Sequence, residues 1–356
     1  MPRIRLAIGL YSCRTADSDR HIPYLRVNPD ATVRRIIELL DTQLVQFNGF
    51  IRESGIPKFG VRGIFVAPEY MFAFGDGTGH PRGVPDYMKD RILKSLKELS
   101  RKHDGIVLIP GSIAWNTSVT GRGTANISAG GNLSVSEITA ELPIIEAKRL
   151  WADARVMDQV GRDADRGARK TARSDLLKNT GGNRRLQKNS VPVFHNGKLV
   201  CIQDKASDYH ESSRPSHLHV SVPHPGTFEI RTHKGPLRIG VEVCLDHNIG
   251  ALRRAIAAGA ATPHIHAIAS AAVVPNADHF QATQNGGLVI HASSQPAFMG
   301  TWRMGGAVPA MAATPGMTDF TAYWRTNRFN PDLINGAAQC TFGNDTLVTD
   351  VADIDI

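Results

Sequence analysis

Three short stretches of the chain each end in a side chain that could act on the same carbon centre. Ile64-Phe-Val-Ala-Pro-Glu69 runs apolar into a carboxylate, and Leu199-Val-Cys-Ile-Gln-Asp-Lys205 runs apolar into an amine. Pro236-Leu-Arg-Ile-Gly-Val-Glu-Val-Cys244 runs into a thiol, with Ile239, Val241 and Val243 alternating with Arg238, Gly240 and Glu242 as in a strand. A thiol attacks an amide or nitrile carbon only as thiolate or with a base beside it. A carboxylate can serve as that base, and an ammonium can hold the oxyanion that forms. Cys244 is followed by Leu245-Asp246-His247-Asn248 and a helix-like run from Ile249 to Ala258. A helix N-terminus there should lower the thiol pKa and offer backbone N–H groups. Alone, each residue has an ordinary reading: a core cysteine, a turn-capping glutamate, a strand-end lysine. Together, each at the C-terminal end of a strand and in the order Glu, Lys, Cys, they point to catalysis.

That set resembles the catalytic triad of the nitrilase superfamily of carbon–nitrogen hydrolases, and the resemblance extends over nearly the whole chain. It implies an α/β protein, a four-layer α-β-β-α sandwich, with residues 1–356 forming one hydrolase domain. It also implies roles. Glu69 takes the proton from Cys244 and later activates water, which calls for a raised carboxylate pKa. Lys205 and the backbone N–H of Leu245 hold the oxyanion, and a thioester is the intermediate. A second glutamate that helps position substrate would be Glu211, six residues beyond Lys205, with Glu229 as the fallback. Tyr70 and the Ser270-Ala271-Ala272 segment would supply pocket walls. The resemblance requires no metal or organic cofactor and implies a homodimer or higher homo-oligomer. Cys-Leu-Asp-His after the strand is closer to the Cys-x-Asp of amidase-like and carbamoylase-like branches than to the Cys-Trp-Glu of nitrile-hydrolysing ones. Glu242 departs from the pattern, standing where the family usually has an apolar residue.

The elements that would hold these side chains alternate between strand and helix. Ile4 to Tyr11 reads as a buried strand. Val33, Ile36, Ile37, Leu40, Leu44 and Phe47 recur at helical spacing after Asp30, with Gly55 as a stop. A strand from Val61 to Ala67, a Gly-rich loop from Gly75 to Gly83, a helix from Asp86 to His103 and one strand from Gly105 to Trp115 follow. This is the order of an α/β layered fold. Regularity returns at Asn189 to Phe194. His195-Asn-Gly-Lys198 then predicts a tight hairpin into the Lys205 strand. Gly226 to Thr232 and Leu237 to Val243 form a second hairpin around His233-Lys-Gly235. His264 to Ser270, Gly286 to Ser294 and Thr346 to Val351 read as further strands. His264 and His266 fall on one side of their strand, and with His291 they could bind a metal, although packed, hydrogen-bonded histidines are the commoner outcome. Gly75-Asp-Gly-Thr-Gly79 lacks the lysine of a phosphate loop.

Composition bounds the class. Of the 356 residues, 42% are hydrophobic and 21% charged, as in a soluble globular protein. No apolar run reaches membrane-spanning length, and the N-terminal apolar stretch is too interrupted for a signal peptide. Cys13, Cys201, Cys244 and Cys340 show no zinc spacing, and reduced thiols in the cytoplasm are the simplest expectation. The net charge is +8. Between Glu146 and Lys188 twelve Lys/Arg stand against six Asp/Glu, inside an irregular segment at about 116–188 that reads as an insertion. A solvated excursion is one reading of it; a lid, a dimer element or a dock for an acidic partner are others. Trp151 is its one aromatic residue between 146 and 188, too few for single-strand nucleic-acid stacking. The sequence therefore supports a thiol hydrolase of a small amide. The same triad acting on a nitrile, and a non-enzymatic binder using 146–188, are the alternatives.

Overall fold

β1 (Arg3–Ser12) is apolar on both faces, and the rest of the fold follows from that. Ile4, Leu6, Ile8 and Leu10 belong to one buried cluster, while Ala7 and Tyr11 belong to another. Period-two alternation sends these sets to opposite faces, so this strand must be covered on both sides. The computed structural model describes residues 2–13, 15, 29–75, 81–119, 184–206, 217–219, 224–271, 273–284, 286–304, 339–342 and 345–356.

In chain order the elements are β1, α1 (Pro29–Glu53), β2 (Gly63–Val66), β3 (Phe74–Gly75), β4 (Pro81–Arg82), β5 (Val84–Pro85), α2 (Asp86–Lys102), β6 (Ile106–Ile109) and β7 (Ile113–Val119). Then come β8 (Arg184–His195), β9 (Lys198–Asp204), β10 (His217–His219), β11 (Thr227–Thr232), β12 (Gly235–Val243), α3 (Leu245–Asn248) and α4 (Ala251–Ala257). β13 (Ile265–Ser270), β14 (Leu288–Ser293), β15 (Gly300–Arg303), β16 (Gln339–Phe342) and β17 (Asp345–Asp355) complete the order. The result is a mixed α/β protein with two large sheets and few helices among the described residues. One sheet has ten strands, running β16-β17-β1-β2-β6-β8-β7-β5 with β9 and β10 also on β8. The other has five, β11-β12-β13-β14-β15.

The first buried cluster joins β1, β2, β6 and β8 of the large sheet to β12, β13 and β14 of the small one. The second joins the other face of the large sheet to Leu40, Leu44 and Phe47 of α1 and Met88, Ile92, Leu96 and Leu99 of α2. Each fully buried Leu or Ile there contributes about 1.5–3 kcal/mol of hydrophobic stabilisation.

Three sequence expectations are revised. Residues 105–115 are not one strand: β6 and β7 are separated by Pro110-Gly111-Ser112. Pro110 cannot donate to a ladder, and Gly111 takes φ +81 with its Cα so close to the 68–69 loop that a Cβ would lie 2.1 Å from the Pro68 carbonyl oxygen. The helix expected from Ile249 to Ala258 is α4, which starts at Ala251 after left-handed Gly250, and the residues 245–248 before it form a separate single turn, α3. At the ends of the 116–188 segment, residues 116–119 continue β7 and 184–188 open β8, paired from Asn116↔Gln187 to Val119↔Arg184. Residues 120–183, and the basic run within them, lie outside the described residues. The hairpin expected at 195–198 is present, with Asn196 at φ 51 and Gly197 at φ 72, the left-handed pair that a type I′ turn needs.

Candidate active site

Glu69 follows β2 by three residues and is carried on a loop pinned from both sheets. Ala67 N–H bonds the Ile109 carbonyl at 2.8 Å, which keeps the chain in register beside β6. Glu69 N–H donates to the Ser270 carbonyl at 3.2 Å, across to the small sheet. Tyr70 sits at φ 59, and its N–H donates to Ser112 Oγ at 2.7 Å. Lys205 follows β9 directly, with its own N–H on the Asn189 carbonyl at 2.8 Å. The next residue, Ala206, donates its N–H to Asp246 Oδ2 at 2.9 Å, which ties the end of β9 to the turn after Cys244.

Cys244 itself ends β12 at φ 50, ψ −110, a conformation that costs a non-glycine residue about 1–3 kcal/mol. Its N–H is fixed on the Ala269 carbonyl at 2.9 Å, and its carbonyl accepts from His247 N–H at 3.0 Å. The strain turns the side chain out of the strand. The thiol then lies near enough to Glu69 and Lys205 to feel the charge of both, beside the Ala271 backbone.

The three side chains therefore meet. Lys205 Nζ donates to Glu69 Oε1 at 3.0 Å, and Asn189 Nδ2 donates to the same oxygen at 2.8 Å. Lys205 Nζ also lies 3.4 Å from Tyr70 Oη. Glu69 is fully buried, Lys205 is 1% exposed, and Cys244 keeps 6% of its surface. Opposite charges in so dry a place interact far more strongly than at the surface.

The thiol is not activated in the way the sequence suggested. Burial first, then the negative charge of Glu69, pushes the Cys244 pKa well above its ordinary value, with Lys205 opposing. A one-turn helix does not offset those effects, and the sulfur rests as a thiol.

Of the other residues singled out by sequence, Tyr70 and Ala271 pack together with Ala73 and Ala114 in a small buried cluster. Leu245 is buried as the first residue of α3. Ser270 differs from expectation as a wall: it is fully buried and its hydroxyl donates to His291 Nε2 at 2.6 Å, because His291 Nδ1 is committed to the Phe298 carbonyl at 2.7 Å. Its contribution to the site is the carbonyl that receives Glu69 N–H. Glu211 lies outside the described residues. Glu229 is exposed on the edge strand β11, opposite Arg238. Arg238 precedes Cys244 by six strand residues, about 20 Å of chain at ~3.3 Å each, so Glu229 cannot be the accessory glutamate.

Sequence reasoning missed Asn189, whose amide holds Glu69, and Asp246, whose carboxylate clips the lysine strand to the cysteine turn. It also gave no role to Glu242. That carboxylate, fully buried two residues before Cys244, accepts from His247 Nδ1 and His266 Nε2, each at 2.8 Å, and from Leu252 N–H at 2.7 Å.

Glu242, His247 and His266 also have the types and proximity of a metal-ligand set, their donor atoms lying within 4.8 Å of one another. The bonding does not fit an ion. Asn276 N–H donates to His247 Nε2 at 2.9 Å and Gln281 N–H to His266 Nδ1 at 3.2 Å. The ring nitrogens facing Glu242 therefore carry the protons and have no lone pair to give a metal. His264, which the sequence offered as a metal ligand beside His266, bonds Arg238 instead.

No family model matches the chain, and no curated protein matches it. Among solved structures it is similar to a mutant of the Nesterenkonia AN1 amidase from the nitrilase superfamily, at 11% identity and TM-score 0.37, covering 82% of this chain and 76% of that one. It is also similar to the glutamine-dependent NAD(+) synthetase of Cytophaga hutchinsonii, at 11% identity, TM-score 0.34, and 82% and 36% coverage. The glutamine-dependent NAD+ synthetase of Acinetobacter baumannii gives 9%, 0.35, and 75% and 32%. This chain spans about a third of the length of the two synthetases. Likeness of this size leaves function to be argued from the side chains.

Proposed function

We propose that the chain is a thiol-dependent carbon–nitrogen hydrolase acting on a small amide or related compound. The observation that carries this is the convergence of Glu69, Lys205 and Cys244, from segments more than a hundred residues apart at the extremes: Lys205 Nζ on Glu69 Oε1, and a thiol that feels the charges of both. With this reading goes a fold of the four-layer α-β-β-α type and assembly into a homodimer or larger oligomer.

Cys244 Sγ attacks the substrate carbon while its proton passes to Glu69. The carbonyl oxygen gains the electron pair and is held by Lys205 Nζ and the backbone N–H of Leu245. Collapse restores the carbonyl, breaks the C–N bond and releases the amine with the proton from Glu69, leaving a thioester on Cys244. Glu69 then takes a proton from water, the hydroxide attacks the thioester, and the acid leaves as the proton returns to the sulfur. Asn189 keeps Glu69 Oε1 in place through both halves. Lys205 neutralises the carboxylate in a site where an unpaired charge would be costly.

The reaction is tested by ammonia or amine release across a panel of small amides, nitriles and carbamoyl compounds, with Cys244→Ala as control. At least one amide is hydrolysed, Cys244→Ala abolishes turnover, and brief acid quenching traps an acyl adduct on Cys244. Turnover by the Cys244→Ala protein, or none by the wild type on any member, would overturn the reading.

A further inference from the structure

Next to Cys244 in the chain, the buried cluster of Glu242, His247 and His266 is closed on itself. Glu242 and His247 stand two residues before and three residues after the cysteine, and the 2.8 Å bond between them joins the two shoulders of its turn. Glu242 Oε1 receives Leu252 N–H, so the same carboxylate sets where α4 starts. His266 on β13 anchors the carboxylate to the neighbouring strand. Each histidine is anchored in turn by the 273–284 loop, through Asn276 and Gln281 N–H, and His279 Nδ1 donates to the His247 carbonyl at 2.8 Å. All the named donors and acceptors are matched, His247 donating to Glu242 through Nδ1 and His266 through Nε2.

We propose that Glu242, fixed by His247 and His266, is a positioning residue that holds the left-handed turn at Cys244 and thereby keeps the sulfur against Glu69. The inference rests on the reading of Cys244 as nucleophile. Backbone held at positive φ persists only where its surroundings over-determine it. Here the bonds on both sides of the turn meet on one carboxylate. A shift of the sulfur by about 1 Å would take it out of reach of its base, an error that commonly lowers rate by about 100-fold. The cluster touches no substrate and donates no proton; it acts through where it puts the thiol.

The test is the rate at which iodoacetamide alkylates Cys244 in the full chain at neutral pH, located by peptide mass analysis, with thermal melting beside it. In the wild type Cys244 reacts faster than Cys201, and Glu69→Gln removes the advantage. If Cys244 shows no such advantage, the hydrolase reading fails. Given that advantage, Glu242→Gln sets an amide N–H₂ against at least one of the N–H donors that Glu242 now accepts from, and the rate falls by about 100-fold. His266→Leu falls in the same direction, whereas His266→Gln, which keeps an N–H for Glu242, stays within a few-fold of wild type. Unchanged alkylation in the folded Glu242→Gln and His266→Leu proteins, with melting lowered, would show a merely structural cluster and overturn the proposal. If Glu242→Gln does not fold, the His266 pair decides alone.

Discussion

Two buried groups of ionisable side chains adjoin Cys244, one at its thiol and one at its turn, and they solve the same problem differently. In the first, Glu69 faces an ammonium at 3.0 Å, an amide at 2.8 Å and a thiol that can lose its proton. In the second, Glu242 faces three N–H donors: two from imidazoles of fixed tautomer and one from the backbone. Burial alone would raise the Glu242 pKa, but His266 and His247 hold it below the ordinary carboxylate range. The second carboxylate is thus tied, among the described residues, to groups that only donate to it. The first carboxylate lies beside a group whose proton it can take. Equal burial does not make equal function; what differs is whether any partner can react.

That contrast breaks most readily at Lys205. Lys205→Met leaves the fully buried Glu69 without its cation. Removing one partner of a buried pair costs about 3–5 kcal/mol, and urea unfolding at pH 7 should show a loss of that size together with loss of amide turnover. Addition of acid should recover part of the stability, since a protonated Glu69 no longer needs the cation. A loss below about 1 kcal/mol would mean that the pair adds little and that Glu69 is stabilised by its other partners, Asn189 among them. A smaller effect is expected one step removed, at the turn that supports the Glu69 loop. Gly111→Ala introduces a methyl that meets the Pro68 carbonyl oxygen at 2.1 Å on a backbone of φ +81. A loss of about 2–3 kcal/mol in thermal or urea unfolding is expected, with turnover reduced in the folded protein because the loop carrying Glu69 must move.

Much of this arrangement was legible in the sequence. The strands ending near Glu69, Lys205 and Cys244 were readable because runs such as Leu237 to Val243 alternate or stay apolar, and α1 was readable because Val33, Ile36, Leu40, Leu44 and Phe47 keep helical period. Asn196-Gly197 announced its own turn. The break at Pro110-Gly111 carried a signal as well, but an apolar run on either side masked it. What could not be read was which polar side chains meet across strands. Asn189 is 120 positions from Glu69, and nothing local distinguishes it from any buried strand amide. Ser270 looked like a wall until its hydroxyl was found on His291, a contact between neighbouring strands. The thiol pKa was misjudged for a similar reason: a helix start is visible in sequence, whereas the depth of burial and the proximity of Glu69 are properties of the folded chain.

A third buried carboxylate sharpens the comparison, because it has neither kind of partner set. Asp350 on β17 is 6% exposed; its Oδ1 accepts Val351 N–H, and its Oδ2 has no hydrogen-bond partner among the described residues. Burial pushes its pKa up to about 6, with the Val351 bond and the charge of Arg303 opposing only in part. The native state therefore holds this proton more tightly than the unfolded chain, whose value is 3.8. The stability that the bound proton confers is complete below about pH 4 and is lost as pH rises through 6. Above that, wild type carries a buried charge that costs on the order of 2 kcal/mol, allowing for partial solvation at its edge. Asp350→Asn removes the titration. Urea unfolding across pH 4 to 8 should find the variant more stable than wild type above pH 6 and the difference gone near pH 4. A difference that stays constant over the range would mean that Asp350 is already paired in solution, and that lack of a partner does not separate it from Glu242.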